Sequence, residues 1–193
     1  MERTPKEGPS MRLTEPRINP VEESDWTESQ RALLAPQVMR GRVQNIFLTL
    51  ANHEALAKRW MVFANHILHK SKLSPRDREI LILRVGWLCQ SGYEWGQHVL
   101  IGQKAGLSDL EIEAIKVGPT DPSWGPQDAW LLTAADELRA DAFVTDRTWQ
   151  ALASHYSQQQ LMDLVFTVGQ YQLVSMALNT FGVQLDPDLP VMK

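Results

Sequence analysis

The chain has 193 residues, 44% of them hydrophobic and 22% charged, with a formal net charge of −4 and one cysteine. That length suits one domain with a sizeable core. The charge balance leaves no basic surplus to neutralise phosphates, which excludes a nucleic-acid binder. A single cysteine excludes an intrachain disulfide framework and zinc sites built from several thiolates.

Residues 1–20 are polar and carry Pro5, Pro9, Pro16 and Pro20, which predicts a flexible arm without regular helix ahead of one domain over 21–193. The arm has no apolar leader segment, and no stretch reads as the ~20 apolar residues of a membrane span. A cytoplasmic protein without a membrane partner is the expectation.

From Glu22 onward the pattern is helical, and the alternating β-branched runs of strands are missing. Residues 25–34 form a short amphipathic helix ended by Pro36. Residues 43–51 place Val43, Ile46, Phe47 and Leu50 three and four apart, and 54–69 carry a stripe of Leu56, Trp60, Phe63, Ala64 and Ile67. A helix over 75–88 opens with Ser74 as cap and Pro75 at its first position. After a break at Ser91-Gly92, residues 93–104 form the next helix, closed by Gly106. Ser108 and Glu111 make a capping box for 110–116. Helices over 126–140 and 146–155 follow, and the last, 158–181, runs from Ser157 to Gly182. The prediction is an all-α bundle of about eight helices. Between Leu164 and Phe181 no side chain is charged, so this last helix is expected to be a central core helix or a subunit interface.

Chemistry concentrates in the run Cys89-Gln-Ser-Gly-Tyr-Glu-Trp-Gly-Gln-His98. Glu94 and His98 are four apart and share a helix face. A carboxylate beside an imidazole can fix its tautomer and raise its basicity, so the pair suits proton transfer. Glu94 also fits a capping box with Ser91, and His98 also fits a satisfied core histidine. Glu79 lies at the fifth position of the preceding helix, where the dipole has weakened, against an apolar run. Cys89 ends that run and reads first as a packed thiol. His66 and His69, three apart, offer at most two ligands; no H-E-x-x-H set and no Gly-rich phosphate loop occurs. Neither a metal nor a nucleotide is expected.

The segments R-D-R-E from Arg76, Y-E-W-G-Q-H from Tyr93 and A-G-L-S-D-L-E-I-E-A-I from Ala105 resemble the carboxymuconolactone decarboxylase family. That superfamily includes the alkylhydroperoxidase-D-like enzymes. The peroxidase branch carries a glutamate, eleven residues, then C-x-x-C-x-x-x-H. Aligned on His98, the glutamate falls on Glu79, but the two thiol positions fall on Ser91 and Glu94. Cys89 has no partner for a dithiol cycle. The decarboxylase branch has glutamate, three residues, histidine, which Glu94 and His98 match.

The resemblance implies an alkylhydroperoxidase-D-like bundle, a trimer or hexamer, and a cofactor-free lyase acting on a small organic acid or lactone. His98 is the expected acid/base, with Glu94 orienting it and Glu79 completing the polar cluster. Tyr93, Arg76 or Arg78 would face charge developing on the substrate, and Trp87, Trp95 and Tyr171 would wall the pocket. Glu79 is expected to reach His98 only across a tilt or through water, and loss of His98 to change stability little. The alternatives are a peroxidase relative using Cys89 and a non-enzymatic oligomeric binding protein.

Overall fold

A computed structural model describes residues 11–187 and 189–192. Nine α-helices and two 3₁₀ turns make up the regular structure among these residues. The helices are α1 (Glu28–Val38), α2 (Asn45–Leu50), α3 (Glu54–His69), α4 (Pro75–Leu88), α5 (Gly92–Lys104), α6 (Asp109–Val117), α7 (Pro126–Asp141), α8 (Asp146–Ala153) and α9 (Gln158–Phe181). The all-α expectation holds, and no strand occurs among the described residues.

The largest boundary differences from the sequence reading fall on α1. Thr27 and Gln30 form a capping box that starts α1, and Glu23–Asp25 is a separate 3₁₀ turn. Pro36 lies inside the last turn of α1 instead of ending it at once. Near a helix end the missing N–H forfeits only the bond to the carbonyl of Ala32.

The central helix is α4. Every residue from Glu79 to Gly86 is buried, because α5, α6, α7 and α9 surround it. Such a helix needs apolar side chains all round, which the run Ile80–Leu83 supplies. Arg84 interrupts the run without penalty, since Asp136 on α7 and the carbonyls of Ile115 and Lys116 occupy its guanidinium.

The last helix, α9, does not take the central place. It packs one side against α3, α4, α5, α7 and α8 and leaves Met162, Phe166, Leu173 and Met176 exposed. By length and composition α9 could cross a membrane, but 56% of its apolar window is buried inside the fold, as in the core helix of a bundle.

A second apolar cluster, built on Trp26, Leu33, Leu34, Ala51 and Ala57, holds α1 and α3 together. This layer lies over α5 and α9. Residues 11–20 run across the end of α9, where the backbone N–H groups of Arg17 and Ile18 donate to the carbonyl of Phe181. Residues 1–10 of the expected arm lie outside the described residues.

Candidate functional site

The site is set by how closely α5 lies against α4. A Cβ placed at Gly86 would sit 3.5 Å from Glu94 Cγ, and one at Gly102 would sit 3.3 Å from a Leu83 methyl and 3.8 Å from Glu79 Cβ. The missing side chain at Gly102 lets the two helices approach there, whereas a methyl at Gly86 would make ordinary van der Waals contact. The helices run antiparallel, with Gly86 level with Glu94 and Glu79 level with Gly102. His98 is then one turn from level with Glu79, a gap that a glutamate side chain spans.

The contact is direct. His98 Nδ1 lies 2.6 Å from Glu79 Oε2, and its Nε2 lies 3.0 Å from Glu94 Oε1. The expected tilt or bridging water is unnecessary. Ser91 makes no side-chain bond to the start of α5, so the capping box read from Ser91 and Glu94 does not form. The Glu94 carboxylate turns to His98 instead. Arg78 Nε, 3.0 Å from Glu79 Oε1, completes a chain of alternating charge.

Glu79, Glu94 and His98 are 0%, 4% and 5% exposed. Burial by itself would lower the pKa of His98, but the charges and hydrogen bonds of Glu79 and Glu94 outweigh it and raise the group from 6.5 to about 10. At neutral pH the ring is therefore an imidazolium that donates from both nitrogens. Tyr171 meets it edge-on, with ring centroids 4.9 Å apart, and burial together with the charges of Glu94 and Glu79 holds the Tyr171 phenol protonated.

Glu94 and His98 form part of the wall of a cavity of about 250 Å³ between the α1–α3 layer and α5 and α9. Its apolar side comes from Phe47, Trp60, Met61 and Leu68. Tyr93 and Tyr171 also line it, as the sequence reading expected. Tyr93 is fixed there by Asp186, whose carboxylate accepts from the Tyr93 hydroxyl at 2.5 Å and from Gln97 at 2.8 Å. The Asn45 backbone N–H also donates to Asp186, so the C-terminal segment, α2 and α5 are tied beside the cavity.

Four of the expected substrate contacts are elsewhere. Arg76 is engaged by Asp128 and Glu111 at the start of α4, away from the cavity. Arg78 reaches Glu79 from behind the cavity wall. Trp95 follows Glu94 by one residue and so faces a different side of α5. It packs on Trp87 with centroids 5.5 Å apart, and the Lys116 ammonium lies 5.4 Å from its ring. Cys89 is buried at the end of α4 and does not line the cavity. Conversely, Gln37, Arg40, Gln97, Gln170 and Asp186 belong to the cavity or its frame and carry no local sequence signal, because their meeting depends on packing between distant segments. Among the described residues no group of three or more His, Cys, Asp or Glu has the geometry to hold a metal ion.

Residues 54–137 match the Carboxymuconolactone decarboxylase family, a span that contains all three members of the Glu79–His98–Glu94 cluster. No curated protein sequence matches the chain. Among solved structures, the chain is similar to the alkylhydroperoxidase AhpD core of an uncharacterized peroxidase-related protein from Ralstonia eutropha JMP134. The identity is 20%, the TM-score 0.78, and the match covers 90% of this chain and 93% of that one. An uncharacterized peroxidase-related protein from Silicibacter sp. TM1040 matches at 17% identity and TM-score 0.74, over 96% of both chains. The debrominase Bmp8, solved with 2,3,4-tribromopyrrole, matches at 13% identity and TM-score 0.73, over 88% of this chain and 91% of that one. The fold is thus the AhpD-like all-α bundle, and residues 54–137 of the chain are similar to the carboxymuconolactone decarboxylase family.

Proposed function

We propose that the protein is a cofactor-free carbon–carbon lyase that decarboxylates a small organic acid or lactone at the His98 cluster. The observation that carries this reading is a buried imidazolium held between two carboxylates in a cavity wall. In the step envisaged, the bond between the carboxylate carbon and its neighbour breaks. Carbon dioxide leaves, and the electron pair moves into an adjacent carbonyl as an enolate. The His98 imidazolium faces that developing charge, where a fixed cation in a water-poor site is most effective. The proton held at His98 Nε2 then passes to the carbon, directly or through Glu94, and solvent restores it. Glu79, with Arg78 behind it, keeps the ring oriented and charged.

The screen for this activity is carbon dioxide release from carboxylated lactones and β-keto acids. The peroxidase-related labels on similar structures make a thiol mechanism the second reading, and one substitution separates the two. Cys89→Ser is expected to leave carbon dioxide release within a few-fold of the unsubstituted protein. Complete loss with the fold intact, or peroxide consumption that depends on Cys89, contradicts the lyase reading.

We place the protein in the cytoplasm as a homo-oligomer, a trimer or hexamer by family resemblance. The exposed apolar residues along α9, with Phe63 of α3 against Phe166, support self-association. Sedimentation at micromolar concentration is expected to show a trimer or a multiple of it, and a monomer contradicts this.

A further inference from the structure

The cavity holds polar groups that the acid/base cluster does not use. Gln37, at the end of α1, is 9% exposed, and Gln170, in the middle of α9, is 5% exposed. Both line the cavity, and among the described residues neither side-chain amide has a hydrogen-bond partner. Neither amide is among the sealed, unpartnered side-chain atoms of the described residues, so both keep accessible surface and can bond what enters the cavity. The other amides of the lining differ: Gln44 and Gln97 bond to each other at 2.9 Å, and Gln97 bonds on to Asp186.

Charge singles out a third residue. Arg40 lines the cavity at its open side and makes no ion pair among the described residues. The remaining charges at the wall, Glu94 and His98, are balanced in the chain with Glu79 and Arg78. Among the Asp, Glu, Lys and Arg side chains of the described lining, Arg40 is the one cation and Glu94, which His98 already holds, the one acid.

We infer that Gln37, Arg40 and Gln170 are the substrate-recognition residues of the cavity and select a small single-ring monoanion with a second hydrogen-bonding oxygen. Arg40 takes the anionic group. The amides of Gln37 and Gln170 take the second oxygen, and Phe47, Trp60 and Met61 cover the ring. The cavity volume of about 250 Å³ falls below the ~300–1,000 Å³ of drug-sized ligand sites, which favours one ring over two. Gln37, Arg40 and Gln170 all lie outside the family-matched residues 54–137, so the chemistry and the selectivity come from different parts of the chain. The inference rests on the lyase reading for its substrate, but its test does not need turnover.

The test is calorimetric binding of 5-oxotetrahydrofuran-2-carboxylate and benzoate, each against its methyl ester, to the full chain. At least one acid is expected to bind about tenfold more tightly than its ester, the effect of one charge-assisted hydrogen bond. Arg40→Gln is expected to remove that preference and leave ester binding unchanged, while Arg40→Lys retains part of it. Gln170→Leu is expected to weaken acid and ester equally. Arg40 is exposed, and thermal unfolding of both Arg40 variants checks that the fold is intact. The inference is overturned if neither acid binds more tightly than its ester, or if Arg40→Gln keeps the preference. Acid binding together with no carbon dioxide release from any carboxylated lactone or β-keto acid of the screen contradicts the lyase reading alone, and carbon dioxide release without an Arg40-dependent preference contradicts this inference alone.

Discussion

His98→Ala is expected to destabilise the protein by ~3–5 kcal/mol, the usual cost of removing one partner from a buried ion pair. Glu79 is fully buried and Glu94 nearly so. Without the imidazolium, two carboxylates face each other, and one must take up a proton, which limits the penalty. In a domain of this size the loss corresponds to roughly 6–20 °C in Tm. The sequence alone suggested little change in stability, because it gave no sign that both carboxylates are buried against the ring. A pH dependence follows from the same contacts. The folded-state pKa of His98 is raised from 6.5 to about 10, so its contribution is complete below pH 6.5 and is lost as the pH climbs to about 10. Urea midpoints should fall over that window in the unsubstituted protein and fall less in His98→Ala. Equal pH profiles would show that the imidazolium is not held as described.

Arg84→Ala is the second large expected effect, and it acts on the frame and not on the site. The guanidinium lies 2.6 and 2.9 Å from the Asp136 oxygens and donates to the carbonyls of Ile115 and Lys116 at 2.8 and 3.0 Å. One side chain on the central α4 thus joins α7 to the end of α6. Truncation leaves the buried Ile115 carbonyl without this partner and the part-buried Lys116 carbonyl to water. Asp136 is 32% exposed and can recover water, so the cost should lie at the lower end of the ~3–5 kcal/mol for a broken buried pair. Urea unfolding measures it. A change below about 1 kcal/mol, the level of an ordinary surface substitution, contradicts the assigned role.

Most of the fold was legible in the sequence. Ser74-Pro75, Ser108 with Glu111, and Ser157 marked helix starts that the structure reproduces. These signals are local, and local hydrogen bonding decides them. The position of α9 was not legible, because a neutral helix reads the same whether it is surrounded or lies along one side with an apolar stripe outward. Pro36 misled for a related reason: its effect depends on how many helical bonds remain beyond it.

The candidate site was half legible. Glu94 and His98 share a face by spacing alone. Glu79 joins them directly because α4 and α5 lie antiparallel and close together at Gly102, which sequence offset does not reveal. Trp95 and Trp87 were expected in the pocket because they flank the motif, yet helical rotation turns Trp95 into the core. Gln37, Arg40, Gln170 and Asp186 were invisible, since nothing near them in sequence hints at the cavity that α1, α5 and α9 enclose.

The most direct measurement for the central claim is the rate of carbon dioxide release from the best carboxylated lactone or β-keto acid, compared between the unsubstituted protein and His98→Gln. The comparison is made at a pH and temperature where both are folded. The account predicts a fall of roughly 10²–10⁴ for the variant, the contribution of a positioned general acid/base. Release at an unchanged rate would contradict it and leave the Glu79–His98–Glu94 cluster as a structural ion pair.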